Sequence, residues 1–266
     1  MGEPVLIRRG GGEVIGDSPE RRVEILSDDP AVNSTWSRFG PGREGADLHV
    51  HRGHSDLFYV LDGELTVRLG ADDTPVVVPA GTLARVPPLV VHGFRNGSDS
   101  DMRYLNFHAP GMRFADYLRA VRDRRPFSYD QHPPPADGGR SPADAVIGGA
   151  ELVVDRPGLR VSLLADIDEI GIAETWCAPG RLSEGRHVHA RHVESLYVLD
   201  GELAVGADGG ELRAEAGSWV QLPAGTPHEL AATGEGTVRF LEVHTPGSGF
   251  GGLVRGDGAA FDRVPA

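Results

Sequence analysis

Most apolar residues of the chain fall in short runs that end at glycine, proline or Asp-Gly pairs. The segment DLFYVLDGELTVRL, residues 56–69, is nearly continuous in apolar residues on both sides of Asp62 and Gly63, and SLYVLDGELAV, residues 195–205, repeats it. Asp-Gly is a strong tight-turn pair, and such apolar runs are typical of strands with both faces buried. The pattern therefore predicts two pairs of short strands, each joined by a tight turn.

One segment has the period of an amphipathic helix. In MRFADYLRAVRDR, residues 112–124, apolar side chains recur on one face at Phe114, Tyr117, Leu118 and Val121. The next segment, RPFSYDQHPPPADGGRSPAD, is rich in proline and glycine, which is typical of a linker. We therefore predict an N-terminal domain with a trailing helix over residues 1–125, a linker over 126–147 and a C-terminal domain over 148–266.

The same order of motifs occurs twice. HVH stands at 49–51 and again at 187–189, which is 138 residues later, and YVLDGEL at 59–65 recurs at 197–203 with the same offset. Further on, LNFHAPGMRF at 105–114 matches LEVHTPGSGF at 241–250, which is 136 residues later. A shared order at a nearly constant offset indicates an internal repeat, so we expect two similar all-β domains.

Charge and cysteine content narrow the classes of function. The chain of 266 residues has 26 Lys and Arg against 39 Asp and Glu, a formal net charge of −13, which argues against nucleic acid as a partner. The single cysteine, Cys177, excludes an intramolecular disulfide. The sequence shows neither an apolar signal core nor an apolar run of about 18 residues, so we expect no membrane partner and a cytoplasmic location.

The second HVH belongs to a set of metal-ligand side chains. Residues two apart in a strand point to the same face, so His187 and His189 project together, and Glu194 starts the next strand across a short loop. His228 follows the turn PAGTPH, which we expect to return it to the same end of the domain. Three neutral imidazoles and a carboxylate suit a divalent transition metal such as Fe, Mn, Ni, Co or Zn.

The first copy of this set has a shorter acid. His49, His51 and His92 take the histidine positions, and Asp56 stands where the second copy has glutamate. Because aspartate is one methylene shorter, Asp56 could bind through a water, His54 of the intervening loop could replace it, or the first site could be free of metal. His192, at the related position of the second loop, is expected to face solvent.

These motifs resemble those of the cupin superfamily, G-x5-HxH-x3–4-E-x6-G and G-x5-PxG-x2-H-x3-N. The C-terminal half fits at His187, His189, Glu194 and Gly201, and again at Gly217, Pro223, Gly225 and His228, with Ala232 where asparagine is common. The N-terminal half has two departures, Asp56 for glutamate and Leu89 for the turn glycine. The resemblance implies a bicupin, that is, two tandem cupin barrels of the double-stranded β-helix or jelly-roll type, joined by a helix and a Pro/Gly-rich linker.

Within that superfamily, the tails HAPGMRFADYL and HTPGSGFGGL look like the segment that follows the barrel in small quercetinase-like dioxygenases. The resemblance implies a metal-dependent dioxygenase that acts with O2 on a neutral aromatic or diketone-like small molecule. Glu194 would be both a metal ligand and the acceptor of the substrate hydroxyl proton. Two alternatives stay open: a metal-dependent isomerase, cyclase or lyase with the same ligands, and a non-catalytic bicupin that binds a small ligand.

The shorter carboxylate suggests a division of labour between the halves. A carboxylate that serves as ligand and proton acceptor must reach both the metal and the substrate, so we expect catalysis at the C-terminal set and an auxiliary role for the N-terminal set. Aromatic residues near the ligands in sequence suggest an apolar substrate pocket, namely Trp176, Trp219, Phe94 and Phe240. A homodimer is compatible with the sequence but is not indicated by any motif.

Overall fold

The computed structural model describes residues 2–182, 185–257 and 261–266, and within them strands dominate. The first half of the chain contains the following elements: β1 (Val5–Ile7), β2 (Glu13–Asp17), β3 (Arg21–Asp28), β4 (Asn33–Phe39), β5 (Ser55–Asp62), β6 (Glu64–Leu69), β7 (Thr74–Pro79), β8 (Leu83–Val86), β9 (His92–Arg95), β10 (Met102–Ala109), α1 (Phe114–Arg122), a 3-10 helix (Pro142–Asp144) and β11 (Val146–Ile147).

The second half repeats this order: β12 (Glu151–Arg156), β13 (Leu159–Asp166), β14 (Gly171–Cys177), β15 (His187–Val188), β16 (Val193–Asp200), β17 (Glu202–Ala207), β18 (Gly210–Glu215), β19 (Trp219–Leu222), β20 (His228–Ala231), β21 (Val238–Thr245), α2 (Phe250–Arg255) and β22 (Val264–Pro265).

These elements form two compact units, each built from two antiparallel sheets. The unit Glu13–Gly149, here called the N-terminal barrel, has the sheets β11-β8-β5-β10-β4-β3-β2 and β7-β6-β9. The other unit, here called the C-terminal barrel, consists of Ala150–Ala266 and Met1–Gly12 and has the sheets β1-β19-β16-β21-β14-β13-β12 and β18-β17-β20-β15-β22. The all-β, two-barrel fold predicted from the sequence is confirmed.

The units do not follow the predicted boundaries at two places. Residues 126–147 belong to the N-terminal barrel, where His132 bridges to Val50 and β11 pairs with β8. The first twelve residues belong to the C-terminal barrel, because β1 adds to the free edge of β19. Unpaired strand edges attract any extended segment within reach, and such pairing leaves little trace in composition.

The Asp-Gly pairs are corners between sheets and not hairpin turns. Strand β5 lies in the larger sheet and β6 in the smaller one, so the two strands do not pair with each other. Gly63 and Gly201 have φ of 74° and 76°, in the left-handed region that favours glycine. A side chain at either position would also meet a neighbouring backbone carbonyl. The sequence thus predicted the two strands and the turn between them, and the structure shows that the two strands belong to different sheets.

The predicted helix is confirmed, and the structure contains a second helix that was not predicted. Helix α1 lies inside the predicted range 112–124. Helix α2 occupies the matching place after β21, but its sequence FGGLVR is only six residues long and contains two glycines. So short a segment has too few turns to show an apolar period.

Each barrel has its own apolar core. In β5 the successive residues Leu57, Phe58, Tyr59 and Val60 are all at most 1% exposed, so both faces of the strand are buried, as the apolar runs predicted. Among the helices in the described ranges, none has the length and apolarity required to cross a membrane.

Candidate metal centres

In the C-terminal barrel the four predicted ligands lie together. Strand β15 points His187 inward and Val188 outward, and the chain then turns His189 to the same side. His187 pairs directly with His228 at the start of β20, while Glu194 lies on β16. All four side chains are at most 3% exposed, and one ligand atom of each lies within 4.8 Å of the others.

Backbone carbonyls fix which ring nitrogens face the centre of this cluster. Nδ1 of His187 donates to the Gly185 carbonyl at 2.9 Å, and Nδ1 of His228 donates to the Thr226 carbonyl at 2.8 Å. Because a carbonyl only accepts, these rings carry their proton on Nδ1 and present the lone pair of Nε2 inward. Oε2 of Glu194 lies 2.8 Å from Nε2 of His228 and 3.1 Å from Nε2 of His189.

The N-terminal barrel has the same arrangement, but its carboxylate lies farther from the ring nitrogens. His49 and His92 direct Nδ1 to the carbonyls of Asp47 and Val90 at 2.7 and 2.9 Å, and Nε2 of His49 lies 3.2 Å from Nε2 of His51. Oδ2 of Asp56 is 3.4 Å from Nε2 of His92 and 3.7 Å from Nε2 of His51. These distances exceed those of Glu194, as expected for a side chain one methylene shorter.

His54 does not take the place of Asp56. Asp56 itself completes the N-terminal cluster, in which one ligand atom of each of its four members lies within 4.8 Å of the others. His54 instead directs Nδ1 to the carboxylate of Asp130 at 3.0 Å, and Nε2 to Nδ1 of His108 at 2.9 Å. Asn106 holds the second oxygen of Asp56 by donating its amide proton to Oδ1.

Protonation states favour metal ligation at both clusters. Burial is the main cause that lowers the pKa of His49 to about 3 and the pKa of His187 to about 4, so both rings are neutral at pH 7. Burial raises the pKa of Asp56 and of Glu194, but the surrounding imidazoles outweigh it and hold each pKa well below its usual range. Two sets of three imidazoles and one carboxylate are suited to a divalent transition metal ion.

The sequence interpretation missed a supporting residue behind each cluster. Asp130 accepts a hydrogen bond from Nδ1 of His51 on its backbone carbonyl, and Asp262 does the same for His189 at 2.6 Å. The carboxylate of Asp262 also lies 3.3 Å from Nδ1 of His192. His192 is only 1% exposed, so the prediction that it faces solvent is wrong. The sequence does contain a signal for these two residues. An aromatic residue followed by aspartate occurs after each helix, at 129–130 and at 261–262, and this pair is part of the internal repeat.

The two clusters face cavities of different size. The N-terminal cavity has a volume of about 300 Å³ and is lined by His49, His51 and Asp56 together with an aromatic and apolar wall that includes Phe94, Tyr104, Phe114, Tyr117 and Leu118. The C-terminal cavity has a volume of about 90 Å³ and is lined by His187, His189 and Glu194 together with Phe250, Phe261 and several aliphatic residues.

Of the four aromatic residues predicted to line a pocket, Phe94 lines the N-terminal cavity, and the other three line neither of these two cavities. Trp219 is completely buried, and Phe240 belongs to the apolar core of the C-terminal barrel. Trp176 is 39% exposed on β14. Sequence proximity to a ligand thus did not indicate which face of its strand each ring occupies.

The family model for the cupin domain matches residues 35–108 and 177–244, more than half of the chain, and each match spans one cluster. The chain belongs to the cupin family. The two matches make it a bicupin, as the sequence motifs predicted. No curated protein sequence matches the chain significantly.

Solved structures of oxalate decarboxylase from Bacillus subtilis resemble the chain in fold. The structure at pH 4.6 has a TM-score of 0.64 and 15% sequence identity, covering 90% of this chain and 75% of that one. A second structure of oxalate decarboxylase, which concerns its substrate binding mode and a reaction specificity switch, has a TM-score of 0.63 and 16% sequence identity. It covers 90% of this chain and 76% of that one. At this identity the likeness establishes the shared two-barrel fold.

Proposed function

We propose that this bicupin is a metal-dependent enzyme whose substrate binds in the N-terminal barrel, against His49, His51, Asp56 and His92. The observation that carries the proposal is the size of the cavities. About 300 Å³ lies at the lower end of the range that holds drug-sized ligands, whereas about 90 Å³ admits only a few atoms. This reverses the division of labour expected from the sequence, so Glu194 and its histidines take the structural or auxiliary role.

The walls of the cavity indicate the class of substrate. Phe94, Tyr104 and Tyr117 present aromatic surface, which favours a flat aromatic or conjugated molecule. Arg21 also lines the cavity, its guanidinium 5.0 Å from the centroid of the Phe39 ring, and no carboxylate of the described residues forms a salt bridge with it. An oxygen that carries negative charge on the substrate would pair with that guanidinium.

Asp56 is the residue placed to move a proton. Its Oδ2 lies inside the cluster, and Asn106 donates to its Oδ1, which fixes the orientation of the carboxylate. A metal ion held by the cluster would supply Lewis-acid polarisation of a substrate oxygen. Asp56 would then accept the proton of an adjacent hydroxyl or enolisable C–H group at Oδ2, while the aromatic wall excludes water from the reacting atoms.

Two reactions follow from such a proton transfer, and a different observation favours each. The apolar wall favours dioxygenation of an enol or phenol, because O2 is an apolar gas that enters apolar cavities. The fold shared with structures of oxalate decarboxylase favours a non-oxidative lyase or isomerase, as does Arg21, which forms no salt bridge within the described residues. Turnover of flavonols and β-diketones in the presence and absence of O2 distinguishes the two.

A matched pair of variants tests where the reaction takes place. We expect Asp56→Ala to abolish turnover of a substrate identified in this way, and Glu194→Ala to retain most of it. Ligand binding to the metal-loaded protein should likewise be weakened by Phe94→Ala and unchanged by Phe261→Ala, which lines the smaller cavity. If Glu194→Ala lost turnover while Asp56→Ala remained active, the assignment to the N-terminal barrel would be wrong.

A further inference from the structure

A second group of buried donor atoms lies beside the N-terminal cluster without belonging to it. Nε2 of His54 is 2.9 Å from Nδ1 of His108, and the hydroxyl oxygen of Tyr129 is 2.9 Å from the first and 3.0 Å from the second. The three atoms form a nearly equilateral triangle, here called the His-His-Tyr triangle. His54, His108 and Tyr129 are 1%, 2% and 9% exposed, so water cannot freely satisfy these atoms.

The outer contacts of the two rings fix their tautomers. His54 faces the carboxylate of Asp130 with Nδ1, and because that carboxylate only accepts, Nδ1 of His54 carries the proton. Asn106 donates its amide group to Asp56 and to the carbonyl of Leu57, which leaves its oxygen to face Nε2 of His108 at 3.0 Å. Nε2 of His108 therefore carries that ring's proton.

With both tautomers fixed, the triangle lacks positive charge. Neutral His54 and His108 direct lone pairs at each other across 2.9 Å, and the only proton left for three close contacts is that of the Tyr129 hydroxyl. Two lone pairs at this distance repel each other. A cation that lies among the three atoms removes this repulsion.

The size of the triangle matches a metal ion. Donor atoms that occupy adjacent positions of an octahedron, with bonds of about 2.1 Å, are about 3.0 Å apart. We propose that Nε2 of His54, Nδ1 of His108 and the phenolate oxygen of Tyr129 form a further divalent metal site in the N-terminal barrel, separate from the cluster of His49, His51, Asp56 and His92. Imidazole nitrogen and phenolate oxygen are donors that suit first-row ions such as Zn²⁺.

The C-terminal barrel contains the same pair of histidines without the third donor. Nε2 of His192 lies 3.0 Å from Nδ1 of His244, and Asp262 stands where the N-terminal barrel has Asp130. Phe261 takes the place of Tyr129, with its ring centroid 5.1 Å from that of His192, and a phenyl ring offers no oxygen. The oxygen of Tyr129 therefore has no counterpart at Phe261, and Tyr129→Phe converts the triangle to the C-terminal pattern.

The test uses metal-free full-length protein titrated with Zn²⁺ by calorimetry, with ultraviolet difference absorbance to detect tyrosinate. We expect Tyr129→Phe to bind one Zn²⁺ fewer per chain than the wild type, and the wild type to show a tyrosinate signal on Zn²⁺ addition that the variant lacks. Tyr117→Phe is the matched control, because Tyr117 stacks on Tyr129 at 4.9 Å but is not among the donors of the triangle. It should retain both the full Zn²⁺ count and the signal.

A second variant separates this site from the neighbouring cluster. His49→Ala should lose one Zn²⁺ and keep the tyrosinate signal, because His49 belongs only to the four-residue cluster. Equal Zn²⁺ counts in the wild type and in Tyr129→Phe would overturn the proposal. Absence of a tyrosinate signal in the wild type would overturn it as well, whatever happens to the clusters.

Discussion

At the scale of single residues, one methylene distinguishes the two clusters. Glu194 reaches within 3.1 Å of two ring nitrogens, whereas Asp56 stays at 3.4 and 3.7 Å from its own. The retracted carboxylate faces the larger cavity, so the shorter side chain leaves space for substrate beside the ligands. The sequence showed the substitution of aspartate for glutamate but not the space beside it, because the cavity volume depends on side chains from five separate strands and a helix.

Exchanging the two acids tests whether the length of the acidic side chain determines how tightly each cluster binds metal. Asp56→Glu should tighten metal binding at the N-terminal cluster, because the carboxylate then reaches the distances seen for Glu194. Glu194→Asp should weaken binding at the C-terminal cluster, by about tenfold or more, since one of four ligands is withdrawn. Competition with a chelator measures both. Tighter binding in Glu194→Asp would contradict the geometric argument.

At the scale of elements, each cluster is closed by a segment that follows the helix. Residues 129–132 return to the N-terminal cluster and β22 returns to the C-terminal one, where β22 pairs with β15. The HxH motifs, the repeat and α1 could be predicted from the sequence because their signals are local. The returning segments could not, because proline-rich composition indicates a linker, while the contacts of Asp130 and His132 join residues about eighty positions apart.

Asp130→Ala tests the returning segment of the N-terminal barrel. Its carboxylate accepts hydrogen bonds from the backbone N–H groups of Arg52 and Gly53 and from Nδ1 of His54, so its loss should release the loop that carries His51. Outer contacts of this kind typically change metal affinity 10- to 100-fold, and we expect weakening of about that size at the N-terminal cluster. Asp137→Ala, an exposed aspartate on the same segment, is the control. If metal affinity at the N-terminal cluster were unchanged in Asp130→Ala, the prediction would be wrong and the backbone contacts alone would hold the loop in place.

At the scale of the whole molecule, buried neutral histidines couple folding to pH. Burial is the main cause that lowers the pKa of six rings from 6.5. The pKa falls to about 3 for His49 and His244, to about 4 for His54, His187 and His192, and well below its usual range for His108. Unfolded chains take up protons at these rings near pH 6.5, whereas the folded protein does so only below about pH 4. The unfolded state therefore binds more protons between these values.

The metal-free protein should consequently lose stability as the pH falls from about 6.5 to 4.5, before carboxylates titrate. Urea unfolding in the presence of a chelator at several pH values measures this. A His54→Asn and His192→Asn double variant should show a shallower slope than the wild type, because two of the six rings are removed. A free energy of unfolding that stays constant across this window would contradict the assigned protonation states.

Metal content is the most direct test of the account, because the proposed reaction needs a metal ion at the N-terminal cluster and each cluster is expected to hold its own ion. The protein is purified without chelator or metal-affinity resin, and metal per chain is measured for the wild type, His49→Ala, His187→Ala and the double variant. We expect each single variant to contain one ion fewer than the wild type and the double variant two fewer, with unchanged circular dichroism because both cores are apolar. A double variant with the metal content of the wild type would contradict the assignment of both centres.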